Sequence, residues 1–265
     1  MTKKISLVYF SPSKTTKRVI EAIANGINTD EVQHLDITTN EIEHIAAMNE
    51  LVIFGIPVHA GRLPAIATKR LRKIIGSNSP AIIVVVYGNR DYEDALIELK
   101  DLVTNQGFNP FVAAVFIGEH SFSTEYYPIA KGRPDKNDLS IANNLGAKIQ
   151  VVLNGLEMPN GQIIVKGNFP YKAIFDKPNI SATTDITKCL KCGICVSSCP
   201  VGSIHMINNV PETDVTTCIL CCACVKECTN NARHNDNEFI NQRRDLLVKN
   251  FMTRKEPEIF MLNEC

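Results

Sequence analysis

Residues 1–155 alternate between apolar runs and stretches whose apolar positions recur at helical spacing. The runs Ile5–Phe10, Glu31–Leu35, Leu51–Ile56, Ala81–Tyr87 and Phe111–Phe116 predict strands. Thr15–Ala24, Pro64–Ile75, Asp91–Gln106 and Asp138–Leu153 predict helices between and after them. The run Ile82-Ile83-Val84-Val85-Val86 is continuously apolar rather than alternating, as in a strand covered on both faces. The expectation is a doubly wound α/β domain with a five-stranded parallel sheet over residues 1–155.

The pattern then changes. Residues 156–183 read as a linker, interrupted by Pro159, Gly161, Gly167, Pro170 and Pro178. Residues 184–240 carry few large apolar side chains and little periodicity, too few to fold on burial alone, so a second small domain with an inorganic core is expected there. Residues 241–265 form a tail with helical spacing around Arg244–Phe251.

Composition narrows the class. Lys plus Arg and Asp plus Glu both total 28, giving no net charge and no basic stripe for nucleic acid. No run approaches the 18 or so apolar residues of a membrane span. The N-terminal MTKKISLVYF reads as a first strand, because its apolar run ends at Ser11-Pro12-Ser13-Lys14 where a signal peptide would continue. A cytoplasmic location is expected. Of the ten cysteines none precedes Cys189, and in a chain read this way their crowding favours metal over disulfides.

The spacing is Cys189-x2-Cys192-x2-Cys195-x3-Cys199-Pro200, then Cys218-x2-Cys221-x2-Cys224-x3-Cys228. Three cysteines at two-residue gaps let a tight loop wrap three corners of an iron–sulfur cubane, and the fourth ligates the opposite cluster. One cluster is then held by Cys189, Cys192, Cys195 and Cys228, the other by Cys218, Cys221, Cys224 and Cys199. Structural zinc also uses paired thiolates, but gives no reason for two interleaved arrays. Cys222 falls outside the spacing and reads as a small buried residue; Cys265 reads as inert. The region resembles the bacterial-type two-[4Fe-4S] ferredoxins, departing from them where Thr229 replaces the proline usual after the last cysteine.

Candidate chemistry also marks the first half. Ser11-Pro12-Ser13-Lys14-Thr15-Thr16 follows the first strand and leads into a helix, a hydroxyl-rich anion cradle lacking the glycines of a dinucleotide fingerprint. Helix capping alone accounts for one or two of these residues. The loops Pro57-Val58-His59-Ala60-Gly61 and Tyr87-Gly88-Asn89-Arg90-Asp91-Tyr92 end strands at the same sheet edge, the usual cofactor crevice.

With these loops, residues 1–155 resemble a flavodoxin. The resemblance implies FMN, with its phosphate on Ser11, Ser13, Thr15 and Thr16; Lys14, which would add positive charge there, stands where flavodoxins commonly have Gly. Pro57–Gly61 would lie along one ring face and Tyr87, Gly88, Asn89 and Arg90 at the other side, with Tyr92 stacked on the ring. The chain has no Trp to serve as the inner aromatic. Domain order and the strings Val86-Tyr87-Gly88-Asn89-Arg90 and Gly132-Arg133-Pro134-Asp135 are similar to EFR1-family ferredoxins, in which a flavodoxin-like domain precedes a two-cluster domain. This implies an electron carrier with two [4Fe-4S] clusters and FMN, relaying low-potential electrons between soluble redox proteins as donor and acceptor. Two alternatives stay open. One is an FMN-dependent oxidoreductase acting through His59, Arg62, Arg90 and Glu119 or His120; the other is a ferredoxin whose α/β domain has lost flavin and only docks a partner.

Overall fold

In the computed structural model, which describes residues 4–40, 45–47, 50–155 and 161–262, every expected strand forms. The first half runs β1 (Lys4–Tyr9), α1 (Thr15–Ile27), β2 (Glu31–Asp36), β3 (Ile45–Ala47), β4 (Leu51–Pro57) and α2 (Ala65–Leu71). It continues through β5 (Ile74–Gly76), β6 (Ser79–Tyr87), α3 (Ala95–Asn105), β7 (Phe108–Ile117) and α4 (Lys136–Leu153). Strands β2-β1-β4-β6-β7 are parallel neighbours, the flavodoxin-like order. The short β3 and β5 pair separately.

Continuous apolar strands do what their pattern requires. Ile82, Val84 and Val86 point into one fully buried cluster with Val19, Ile20 and Ile23 of α1 and Leu145 and Ile149 of α4. Ile83, Val85 and Tyr87 point into the other with Ala67 and Leu71 of α2 and Leu96 and Leu99 of α3. Each large apolar side chain so buried contributes about 1.5–3 kcal/mol. Helices α1 and α4 cross at glycines: a Cβ on Gly146 would lie 2.0 Å from the Ile23 carbonyl oxygen.

Two expectations are corrected. The helix expected over Pro64–Ile75 stops at Leu71, because the chain tightens into an i→i−3 bond from Lys73 N–H to Arg70 O. The Gln106 side chain then donates to the carbonyls of Leu71 and Ile74. The sheet has six strands, not five. The tail turns through α7 (Glu238–Asn250) and returns as β12 (Glu258–Met261), antiparallel to β7 at its open edge. Covering that edge removes a row of unpaired backbone groups.

Between the tail and α4 lie β8 (Thr183–Thr184), α5 (Ile194–Ser197), β9 (Ile204–Ile207), β10 (Val210–Thr213), α6 (Ala223–Lys226) and β11 (Arg233–His234). They form a pseudo-repeat: β9–β10 and β8–β11 are small antiparallel pairs, and each array enters a one-turn helix. Left-handed residues recur at matching places, Lys191 with Leu220 and Gly193 with Cys222. The segment 161–172 lies along α3, where the Asp94 carboxylate accepts the N–H groups of Asn168 (2.8 Å) and Lys172 (2.6 Å). Burial works against the Asp94 carboxylate, yet these bonds hold it below its usual range.

Candidate metal centres and the adjoining crevice

The two cysteine arrays cross. One cavity is lined by Cys189, Cys192 and Cys195 together with Cys228, and a second by Cys218, Cys221 and Cys224 together with Cys199. The crossing follows from the one-turn helices, which carry the last cysteine of each array away from its first three. This donor set fits a body with thiolates at its corners. Ser203 N–H donates to Cys199 Sγ (3.3 Å) and Ala232 N–H to Cys228 Sγ (3.2 Å), equivalent bonds in the two repeats.

Burial raises the thiol pKa values of Cys195, Cys218, Cys221 and Cys224, and Arg233 acts in the opposite direction on Cys195 and Cys224. Thiols in so dry a place become thiolates when a metal compensates their charge. Cys222 is buried as expected and lines the second cavity; its thiol is pushed up to about 12 by burial. It stands where the first repeat has Gly193 and adopts the same left-handed backbone. Cys265 lies outside the described residues.

The second array sits against the α/β unit. Ile219, between Cys218 and Cys221, packs on the core cluster under α2 and α3. Arg70 donates to the Pro200 carbonyl (2.8 Å) and to the carbonyls of Ile37 and Thr38. Lys226 pairs with Glu119 (2.8 Å), and Lys14 with Glu227 (2.6 Å). Sequence reading missed Arg70, Lys226 and Glu227, because nothing local marks residues that meet across more than 100 positions.

In the hydroxyl-rich loop, Lys14 takes the left-handed conformation at the α1 N-cap. The Ser11 hydroxyl accepts Lys17 N–H (3.1 Å), which is helix capping. Ser13 and Thr15 hydroxyls contact each other at 3.2 Å. The Thr16 hydroxyl is buried and has no partner among the described residues, so this end fits an added anion.

At the expected ring end the loops make contacts of their own. Loops 57–61 and 88–94 pack on each other: Asp94 N–H donates to Gly61 O (3.1 Å), and a Cβ on Gly61 would meet Glu93. Pro57, Val58 and His59 close a tight turn, with Val58 N–H on Val86 O and His59 and Arg62 exchanging backbone bonds across Ala60. Tyr92, expected to stack on a ring, is 6% exposed; its ring meets Tyr87 edge-on and its hydroxyl bonds Glu258 of β12. Asn89 donates to the carbonyls of Phe251 (2.6 Å) and Thr253 (2.9 Å). The returning tail engages both side chains: residues 251–253 meet Asn89 and β12 meets Tyr92.

The residues named for small-substrate chemistry are engaged as well. Arg62 forks onto Glu98, Arg90 onto Glu93, and Glu119 takes Lys226 and Gly132 N–H. His59 and His120 are both pushed down to about 4 by burial. His120 Nδ1 accepts Phe122 N–H (3.0 Å), and its ring packs on Gly88. In the 132–135 turn, Asp135 caps α4 and Arg133 forms a buried fork with Asp138.

Among the described residues no helix is long and apolar enough to cross a membrane. No curated protein matches the chain. Solved structures align with its first half, among them the following three. A flavodoxin from the domain Archaea shares 17% identity over 56% of this chain and 96% of its own, with a TM-score of 0.38. Oxidised flavodoxin 1 from Bacillus cereus shares 15% over 55% and 95%, TM-score 0.40. The Flv1 flavodiiron core from Synechocystis sp. PCC6803 shares 18% over 57% of this chain but 36% of its own, TM-score 0.41. The 4Fe-4S binding domain family matches residues 182–205, which span the first array, so the chain carries a 4Fe-4S binding domain.

Proposed function

We propose that this protein is an electron carrier of the EFR1-family type, holding two [4Fe-4S] clusters and FMN and serving soluble redox proteins as donor and acceptor. The carrying observation is the crossing of the arrays, which gives each cavity three cysteines of one array and the fourth of the other. Bound clusters exchange single electrons, and FMN exchanges one or two. Cys189, Cys192, Cys195 and Cys228 hold one cluster; Cys199, Cys218, Cys221 and Cys224 hold the other. Backbone donors at Cys199 and Cys228 stabilise thiolate charge. Ser13, Thr15 and the unpartnered Thr16 hydroxyl take the flavin phosphate. No ring contact is assigned to Asn89 or Tyr92, which the tail holds.

That engagement favours a second reading, in which the α/β unit is a flavin-free platform on which the cluster unit docks. Anaerobic purification with iron, sulfide and flavin counted per chain tests both. About eight irons and one FMN support the carrier with flavin. Eight irons with no FMN, even after its addition, select the platform, and absence of iron removes both readings.

A further inference from the structure

Arg233 is an exception inside its own repeat. Five residues after the last cysteine of the first array stands Ile204, 2% exposed and lining the cavity of Cys218, Cys221, Cys224 and Cys199. Five residues after the last cysteine of the second array stands Arg233, 3% exposed and lining the cavity of Cys189, Cys192, Cys195 and Cys228. The equivalent place in the first repeat is apolar, and a buried cation is strongly destabilising unless compensated.

No carboxylate among the described residues supplies the compensation. The guanidinium donates to the hydroxyls of Thr184 (2.7 Å) and Thr213 (2.7 Å), to the Pro211 carbonyl (3.5 Å) and to Cys224 Sγ (3.6 Å). Its Nε is buried with no hydrogen-bond partner among the described residues. One guanidinium thus lines the first cavity while bonding a thiol of the second, on the path between them.

Resting on the two-cluster reading above, we propose that Arg233 is the shared counter-charge of both clusters and raises both reduction potentials. Each cluster gains one negative charge on reduction, and a fixed cation in a dry site favours the more negative state. Thr184 and Thr213 fix the guanidinium, so its charge reaches both sites at once. It also makes the clusters the source of its own compensation, which a carboxylate partner would have cancelled.

The test compares the full chain with R233Q and R233K, each reconstituted anaerobically with iron and sulfide, by mediated redox titration followed by EPR and visible absorbance. The expected result is that R233Q holds eight irons per chain and both its couples shift negative. At fixed poise the reduced-to-oxidised ratio falls at least tenfold, about 59 mV for a one-electron couple, while R233K stays near wild type. If R233Q fails to load iron, loading of R233K supports the need for charge, and failure of both variants overturns it in favour of shape. Loaded R233Q with unchanged couples, or only one couple shifted, overturns the shared role. Wild type that takes up no iron removes the two-cluster reading itself, a result distinct from all of these.

Discussion

Lys14, in the left-handed turn that opens α1, pairs with Glu227, the residue before Cys228, at 2.6 Å. One contact therefore ties the hydroxyl-rich loop of the first half to the end of the second cysteine array. The pair is too exposed to stabilise strongly. It sets orientation, and with Lys226–Glu119 and Arg70–Pro200 it seats the second array over the crevice.

Three substitutions separate the backbone from the charge at this contact. Glu227→Gln should lower stability by under about 1 kcal/mol, as for other solvent-facing pairs. Lys14→Gly should exceed Lys14→Ala by about 1 kcal/mol, because glycine meets the left-handed conformation without strain. Chemical denaturation of the three variants measures both; equal stability of the glycine and alanine forms would remove the strain argument.

The buried fork of Arg133 on Asp138 behaves differently. Asp138 is fully buried and Arg133 also donates to the Lys255 carbonyl, so the pair anchors the tail before β12. Asp138→Ala leaves the buried guanidinium only the more distant Asp135 carboxylate, at 3.8 Å, and should cost about 3 kcal/mol in urea unfolding. A loss below 1 kcal/mol would show that water reaches Arg133.

His59 and His120 impose a pH dependence. Burial lowers both pKa values from 6.5 to about 4, and Phe122 N–H further requires neutral Nδ1 on His120. The unfolded chain then binds more protons than the folded one between these values. The stabilisation is complete above pH 6.5 and declines as pH falls towards about 4. Glu93, Asp94 and Glu119, whose pKa values are lowered, release their share only below the carboxylate range near 4.5. His120→Gln should flatten the stability curve between pH 6.5 and 4.5; an unchanged slope would contradict the assignment.

Interleaved ligation has a signature in double variants. Cys199→Ala with Cys224→Ala should leave about four irons per chain, since both would serve one cluster. Cys195→Ala with Cys199→Ala should leave none, since each cluster would lose a ligand. Sequential ligation would reverse the two iron counts.

Some of this protein was legible residue by residue. Apolar runs such as Ile82–Val86 specify strands buried on both faces because burial is decided by the side chains of the strand itself. Cysteine spacing sets which sulfurs a single loop brings together, so both sets of cavity-lining cysteines could be written down in advance. The tail was legible only as a helix, since Glu258–Met261 is a strand by virtue of the open β7 edge it finds. The fates of Asn89 and Tyr92 follow from that strand's path.

Arg233 shows the boundary most clearly. The repeat offset from Cys228 was available in the sequence, and comparison with Ile204 would have marked the position as internal. What faces its guanidinium was not available, because Thr184, Thr213 and Cys224 arrive from three separate segments. Local order and metal-ligand spacing are short-range properties written along the chain. Buried charge, edge pairing and the closure of the crevice depend on distant segments meeting, and only the tertiary structure decides them.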